Sequence, residues 1–291
     1  MTREVLSTEK YWEKYWGFKQ REYSARLVEY DFLRGSAQWA ASMVGPWRYA
    51  FENYHDYILW NVIYKKFMPK GSFKVLEIGS APGYHLVRLY KTFGCIPYGV
   101  ECSARGVEIN KSVFKRYGIN PDNVIHDDFF SDRFQKEYKD YFNVIISRGF
   151  IEDFGDSDAG YVVEKHKDLL RPGGILFAII PNFRGINYLG LSLFSKELLS
   201  EVNFNIMKKE NFIKIFDERR WNVLYCGYYG TFNCGDRFSP RQDFLMKFVL
   251  MFCNGMQKAL NVIFRVLLKD KGAETSIFSP YLVFVGTKRQ P

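Results

Sequence analysis

The sequence predicts an α/β fold, a parallel sheet with helices on both faces. Strand-length apolar runs near 73–78, 96–101, 122–126, 142–147 and 174–180 alternate with helical patterns near 84–93, 104–117 and 158–170. Strands and helices that alternate at this spacing build parallel sheets. The first run, Val75-Leu76-Glu77-Ile78, passes directly into Gly79-Ser80-Ala81-Pro82-Gly83, and the second ends on an acid, Glu101. A strand, a tight glycine turn, a helix from Tyr84 and an acid-tipped second strand form half of a nucleotide-binding unit. That geometry lays a nucleoside across the carboxyl ends of the strands, with the acid on its ribose.

The turn residues have physical reasons to be there. Gly79 and Gly83 lack a β-carbon, so the backbone can take positive φ and approach a ligand. The helix that follows aims free N–H groups at it. Glu101 can accept from both ribose hydroxyls. Glu77 is acidic where a phosphate loop would avoid charge, so the turn suits a ligand carrying an amine better than a pyrophosphate. This argues against NAD and ATP, and no G-x-x-x-x-G-K-[ST] occurs.

Glu77-x-Gly79-x-x-x-Gly83 resembles the first motif of the class I S-adenosylmethionine-dependent methyltransferases. Ala81 stands at that pattern's middle glycine. Later landmarks fall in family order: Gly99-Val100-Glu101-Cys102-Ser103, Val124-Ile125-His126-Asp127-Asp128-Phe129, Phe142-Asn143-Val144-Ile145-Ile146-Ser147, and the turn Leu170-Arg171-Pro172-Gly173-Gly174. The resemblance covers about residues 70–182. It implies a Rossmann-like seven-stranded sheet, with 221–229 and a final antiparallel strand at 281–287 completing it. It implies S-adenosyl-L-methionine as cofactor and S-adenosylhomocysteine as product. It places Glu77, Gly79, Ser80, Ala81, Gly83, Tyr84, Glu101, Cys102, Asp128, Phe129 and Ser147 around that cofactor, with an acid of the third motif at the adenine amino group.

The 291 residues suffice for one large α/β domain with additions. Residues 1–70 read as a helical cap or lid, and 71–291 as the cofactor-binding domain with insertions near 183–206 and 231–275. In the cap, Ser7-Thr8-Glu9 is a helix start, and Tyr11, Trp12, Tyr15 and Trp16 share one face. Those aromatics either pack on the domain or close over the ligand. A second helix is expected from Trp47 to Phe67, stopped by Met68-Pro69-Lys70-Gly71. In the late insertion, Leu245, Phe248, Val249, Phe252, Met256, Ala259, Leu260, Ile263, Val266 and Leu267 repeat at three and four. Lys247, Asn254, Lys258, Asn261 and Arg265 form the opposite stripe. Two readings stand: packing on the domain or a second copy, or lying in a membrane interface with basic residues toward anionic headgroups.

Five cysteines without C-x-x-C pairing fit a reducing cytoplasm and give neither a disulfide framework nor a zinc site. No H-x-x-x-H spacing accompanies the four histidines, and no metal is expected. The N-terminus lacks an apolar signal core, and no run of about 18 uncharged apolar residues predicts a membrane span. The net charge of +9 suits an anionic partner, yet it is spread over the chain rather than gathered in a block.

Methyl transfer is an in-line displacement, and the protein's task is to position the acceptor. An alcohol acceptor also needs a base within reach. Ser147-Arg148-Gly149-Phe150-Ile151-Glu152-Asp153 occupies the end of the fourth strand, where the resemblance places the acceptor. Many small-molecule relatives carry Glu-His where this chain has Glu152-Asp153. Asp153 is the first candidate base; His55 and His166 are the others. Arg148, Glu152, Arg184 and Tyr188 are candidates to hold the acceptor, the arginines through an anionic group. The sequence lacks the Asn/Asp-Pro-Pro-Tyr/Phe signature of amino methylation of bases and a Pro-Cys nucleophile. The expected activity is O-methylation of a small molecule or glycan, lipid-linked included, in polysaccharide biosynthesis, in the cytoplasm or at the inner face of the membrane. Nucleic acid is not the expected partner; a homo-oligomer is compatible. Two alternatives remain: an RNA methyltransferase, which the charge and the Gly79–Gly83 turn favour, and an inactive cofactor-binding partner, which Ala81 and the missing Glu-His pair favour.

Overall fold

The computed structural model describes residues 12, 13, 16, 45–194, 199, 202–231, 244–272 and 274–289. The expected helix start at 7–9, Tyr11 and Tyr15 lie outside these residues. So do the side chains of Leu245, Lys247, Phe248, Val249 and Asn254.

Seven strands form one sheet: β1 Lys74–Ile78, β2 Ile96–Glu101, β3 Val124–His126, β4 Phe142–Arg148, β5 Leu170–Pro181, β6 Trp221–Tyr229 and β7 Tyr281–Lys288. Their order is β3-β2-β1-β4-β5-β7-β6. β1 to β5 pair in parallel, and β7 runs antiparallel to both β5 and β6. The order reverses beside β1, so β1 and β4 diverge into the crevice where open α/β sheets bind ligands.

Helices cover both faces. α1 (54–67) has a π-helical middle, Ile58–Tyr64, between α-helical ends. α2 is Tyr84–Phe93, α3 Ala104–Arg116, α4 Asp132–Glu137, α5 Asp156–Leu169, α6 Ile186–Phe194, α7 Lys209–Lys214 and α8 Phe244–Leu267. α2 ends at Gly94 in the left-handed conformation, and Ser103 caps α3 by accepting from the Gly106 N–H. The two-residue period of the strands sorts the core into two clusters. Val75, Val144, Ile146, Phe177 and Ile179 pack with α1, α2 and α3. Leu76, Ile78, Ile145, Leu176, Ala178 and Ile180 pack with α5 and with Phe212, Phe216 and Trp221.

The third strand begins two residues later than expected, because Pro121–Asn123 forms a 3-10 turn held by Asn120 Oδ1 on the Asp122 N–H. α8 departs further. Of its polar stripe Asn261 is buried and Arg265 half-buried while Lys258 stays exposed; Gln257 is buried beside Asn261, whereas Phe252, Met256, Ile263, Val266 and Leu267 are exposed. Asn261 explains the inversion. Its amide donates to the carbonyl of Ala50 at 3.4 Å and to Asn53 Oδ1 at 3.3 Å, and its Oδ1 accepts from the Tyr54 N–H at 3.3 Å and Gln257 Nε2 at 3.0 Å. The packing of the apolar stripe on the domain is therefore not what the described residues show. Among them no helix is long and apolar enough to cross a membrane.

Candidate active site

The turn between β1 and α2 is built by steric exclusion. Gly83 has φ 94°, and a β-carbon there would overlap Asn110 Oδ1. Asn110, buried on α3, donates to Ser80 Oγ at 2.6 Å. A β-carbon on Gly99 of β2 would overlap that same hydroxyl. Ser80 thus points back to α3 and turns the loop backbone outward. The pattern of the turn marked Ser80 and Gly83, and the second motif included Gly99, but Asn110 carried no local signal.

In front of the turn lies a cavity of about 340 Å³. Gly79, Ala81, Pro82, Glu101, Cys102, Asp128, Phe129 and Phe130 line it, together with Arg148, Gly149, Phe150 and Asp153. Trp12 and Trp16 also line it. Glu13 brings that helical segment down, accepting from Ser103 Oγ at 2.5 Å and pairing with Arg105 at 3.2 Å.

Glu101 is buried at the tip of β2, accepting from the backbone N–H of Ser103 at 3.0 Å and of Ala81 at 3.4 Å. Burial raises its pKa against the lowering effect of those donors. Glu77 faces the α1–α2 side. Its Oε1 lies 2.8 Å from His85 Nδ1, and His85 Nε2 lies 3.1 Å from the Tyr64 hydroxyl. Burial lowers the pKa of His85 and outweighs the pull of Glu77. A carboxylate only accepts, so Nδ1 carries the proton of the neutral ring, and Nε2 accepts from the Tyr64 O–H. Glu77 Oε2 is buried without a partner among the described residues, and Arg148 Nη1 is 4.0 Å from Oε1.

These features fit S-adenosylmethionine. A buried, orphaned carboxylate oxygen suits its ammonium group, Glu101 suits a ribose diol, and the glycine turn admits close approach. The third-motif acid Asp128 also lines the cavity, its Oδ1 accepting from the Phe130 N–H at 2.9 Å.

Other predicted residues lie elsewhere. Ser147 is buried on the opposite face of β4 from Arg148 and does not line the cavity. Tyr84 does not line the cavity, nor do Ser80 and Gly83, which act behind the loop. Glu152 is buried behind Gly149 and does not line it either. His55 packs against Tyr281, ring centroids 5.3 Å apart, and under Gly230. His166 is wholly buried below the cavity wall, its ring centroid 4.8 Å from that of Phe129, with Nδ1 2.6 Å from the Val162 carbonyl. Burial lowers its pKa to about 4, so it is a neutral core residue without access to an acceptor. Arg184 and Tyr188 line a separate apolar groove with Phe183, Leu189, Ile277 and Phe278. Of the candidate acceptor and base residues, Arg148 and Asp153 are the two brought to the cavity.

The sheet order, the acid-tipped β2 and the cradled turn define a class I methyltransferase. The chain belongs to the methyltransferase domain family, whose model matches residues 26–224, and it is an S-adenosylmethionine-dependent methyltransferase. Solved structures share the fold. MccD superposes with a TM-score of 0.53 at 12% identity over 80% of this chain and 97% of that one. The [4+2]-cyclase SpnF gives 0.51 at 13% over 80% of each. A SAM-dependent methyltransferase from Archaeoglobus fulgidus gives 0.50 at 15% over 79% and 93%. No curated protein matches the sequence.

When bound, the cofactor supplies both the electrophilic methyl group and its own leaving group. The chain's residues bind, orient and exclude water. Glu101 would hold the ribose hydroxyls; Glu77 does not line the cavity, and its carboxylate is fixed behind the turn by His85, which Tyr64 holds in turn. Phe129, Phe150, Trp12 and Trp16 give the cavity apolar walls that exclude water and strengthen every polar contact inside.

Proposed function

We propose that the enzyme O-methylates a small-molecule or glycan acceptor that carries an anionic group and is lipid-linked. The observation that carries this is that Arg148 and Asp153 line the same cavity as Gly79 and Glu101. In this reading Arg148 binds the anionic group, and Asp153 takes the hydroxyl proton as the oxygen is alkylated. The apolar groove of Phe183, Leu189, Ile277 and Phe278, with Arg184 and Tyr188 on its rim, leaves the carboxyl end of β5 and suits an acyl or prenyl chain. Trp12 and Trp16 support the reading of residues 1–70 as a lid. Such an acceptor fits polysaccharide biosynthesis in the cytoplasm, at the inner face of the membrane.

The test is methyl transfer from labelled cofactor to sugar nucleotides and lipid-linked glycans. Asp153→Asn is expected to lower kcat by about 10²–10⁴-fold, the usual worth of a positioned base, without changing S-adenosylhomocysteine affinity. Arg148→Lys is expected to raise KM for anionic acceptors, because the planar fork is lost. Full kcat in Asp153→Asn, or turnover confined to RNA, refutes the reading.

A further inference from the structure

We propose that α8 seats the protein on an anionic lipid surface, its outward apolar stripe in the interface and a lysine cluster at its end on the headgroups. This deepens the reading of a membrane-side acceptor, and its test reads lipid binding apart from methyl transfer.

The stripe is ordered by the helix itself. Phe252 is 67% exposed, Met256 37%, Ile263 47%, Val266 46% and Leu267 72%. Their spacing puts all five on one side of the cylinder. Five large apolar side chains in a contiguous exposed row mark an interaction surface rather than scatter.

The helix cannot roll to hide them. Besides the four hydrogen bonds of Asn261, Arg265 lies 3.0 Å over the Tyr57 ring and pairs with Asp270 at 3.3 Å. Turning the apolar side inward would strand the buried Gln257 and Asn261 amides. The polar contacts therefore fix which side faces out.

Charge selects the partner. Lys65, Lys66, Lys269 and Lys271 are exposed around the C-terminal end of α8. Lys66 and Lys271 line one small cavity beside α1, and Lys65 acts on Asp270. The nearby acids are engaged: Asp270 accepts from Tyr57 at 2.5 Å, and Glu274 accepts from the Tyr225 hydroxyl. A basic cluster at the end of an apolar stripe, on a chain of net charge +9, complements anionic headgroups and opposes a second copy of itself. The 24 residues of α8 run about 36 Å, long enough to lie in the interface plane.

The experiment is flotation of the full-length protein with vesicles of phosphatidylcholine alone and with phosphatidylglycerol added. The protein is expected to float with the anionic vesicles, to float at least tenfold less with the neutral ones, and to be released by high salt. Phe252→Glu with Leu267→Glu is expected to lower partition at least tenfold and leave S-adenosylhomocysteine affinity unchanged. If that variant fails to fold, Lys65→Glu with Lys269→Glu and Lys271→Glu tests the charge at three exposed side chains. Absence of wild-type flotation, or equal partition of wild type and folded variants, overturns the proposal. So does a wild-type dimer in light scattering that Phe252→Glu with Leu267→Glu turns into a monomer. Loss of methyl transfer with intact flotation would refute the acceptor reading and leave this one standing.

Discussion

Replacing Glu101 with alanine separates two roles that its position combines. The carboxylate is buried and accepts from two backbone N–H groups, Ser103 at 3.0 Å and Ala81 at 3.4 Å. Deletion orphans both donors, each costing about 1–3 kcal/mol when buried. The charged form is itself disfavoured by burial, which raises the pKa, so removing the charge returns part of that cost. The net loss of stability is expected near the cost of a single donor, about 1–2 kcal/mol. Cofactor affinity should fall further. Hydrogen bonds to a charged acceptor are worth about 1.5–3 kcal/mol, hence roughly one to two orders of magnitude in Kd. Calorimetric titration with S-adenosylhomocysteine measures this on wild type, Glu101→Gln and Glu101→Ala, and thermal melting reports stability alongside. Glu101→Gln keeps shape and one acceptor and should fall between the two. The pH dependence supplies a second check. Only the ionised carboxylate accepts at both oxygens, and its pKa is raised. Affinity should therefore decline as pH falls, beginning above the range of an ordinary carboxylate, and Glu101→Gln should lose that dependence. A folded Glu101→Ala that binds within twofold of wild type would refute the placement of the ribose at Glu101.

Tyr64→Phe leaves His85 Nε2 without its donor in a buried site. A stability loss of about 1–3 kcal/mol in chemical denaturation is expected. Gly83→Ala adds a β-carbon at φ 94° against Asn110 Oδ1. The left-handed backbone alone costs about 1–2 kcal/mol, and thermal melting with calorimetry should show lower stability and weaker binding; Asn110→Ala in the same background should restore part of both. His166 has a folded pKa lowered to about 4 from 6.5. The unfolded chain binds the extra proton first, so its contribution is complete above about pH 6.5 and is lost as pH falls toward about 4, at most about 3 kcal/mol. His166→Phe, followed by denaturation across that window, should flatten this part of the pH profile.

The sequence determined whatever is local. The β1–turn–α2 unit, Glu101 at the end of β2, the alternation of strands and helices and the helical run of α8 follow from residue spacing within one element and its neighbour. Strand order followed only through resemblance, since nothing in the residues of β7 alone says that it inserts between β5 and β6. Site residues divided the same way. Gly79, Ala81, Cys102, Asp128 and Phe129 reached the cavity because each sits beside a strand's carboxyl end, where the fold presents them. Side chains beyond those ends were decided by packing. Arg184 and Tyr188 follow β5 yet line a second groove, and Glu152 turns behind Gly149 while its neighbour Asp153 faces the cavity. Asn110 bonds Ser80 across 30 positions, and Tyr64 meets His85 across 21. α8 is the sharpest case. Its periodicity fixed that one face would be apolar, but the face that packs was chosen by Asn261 against the 46–54 segment, more than 200 positions away. A helix pattern records which residues share a side. Which side is buried depends on the hydrogen-bonding groups the rest of the chain brings to it, and only the tertiary structure holds that information.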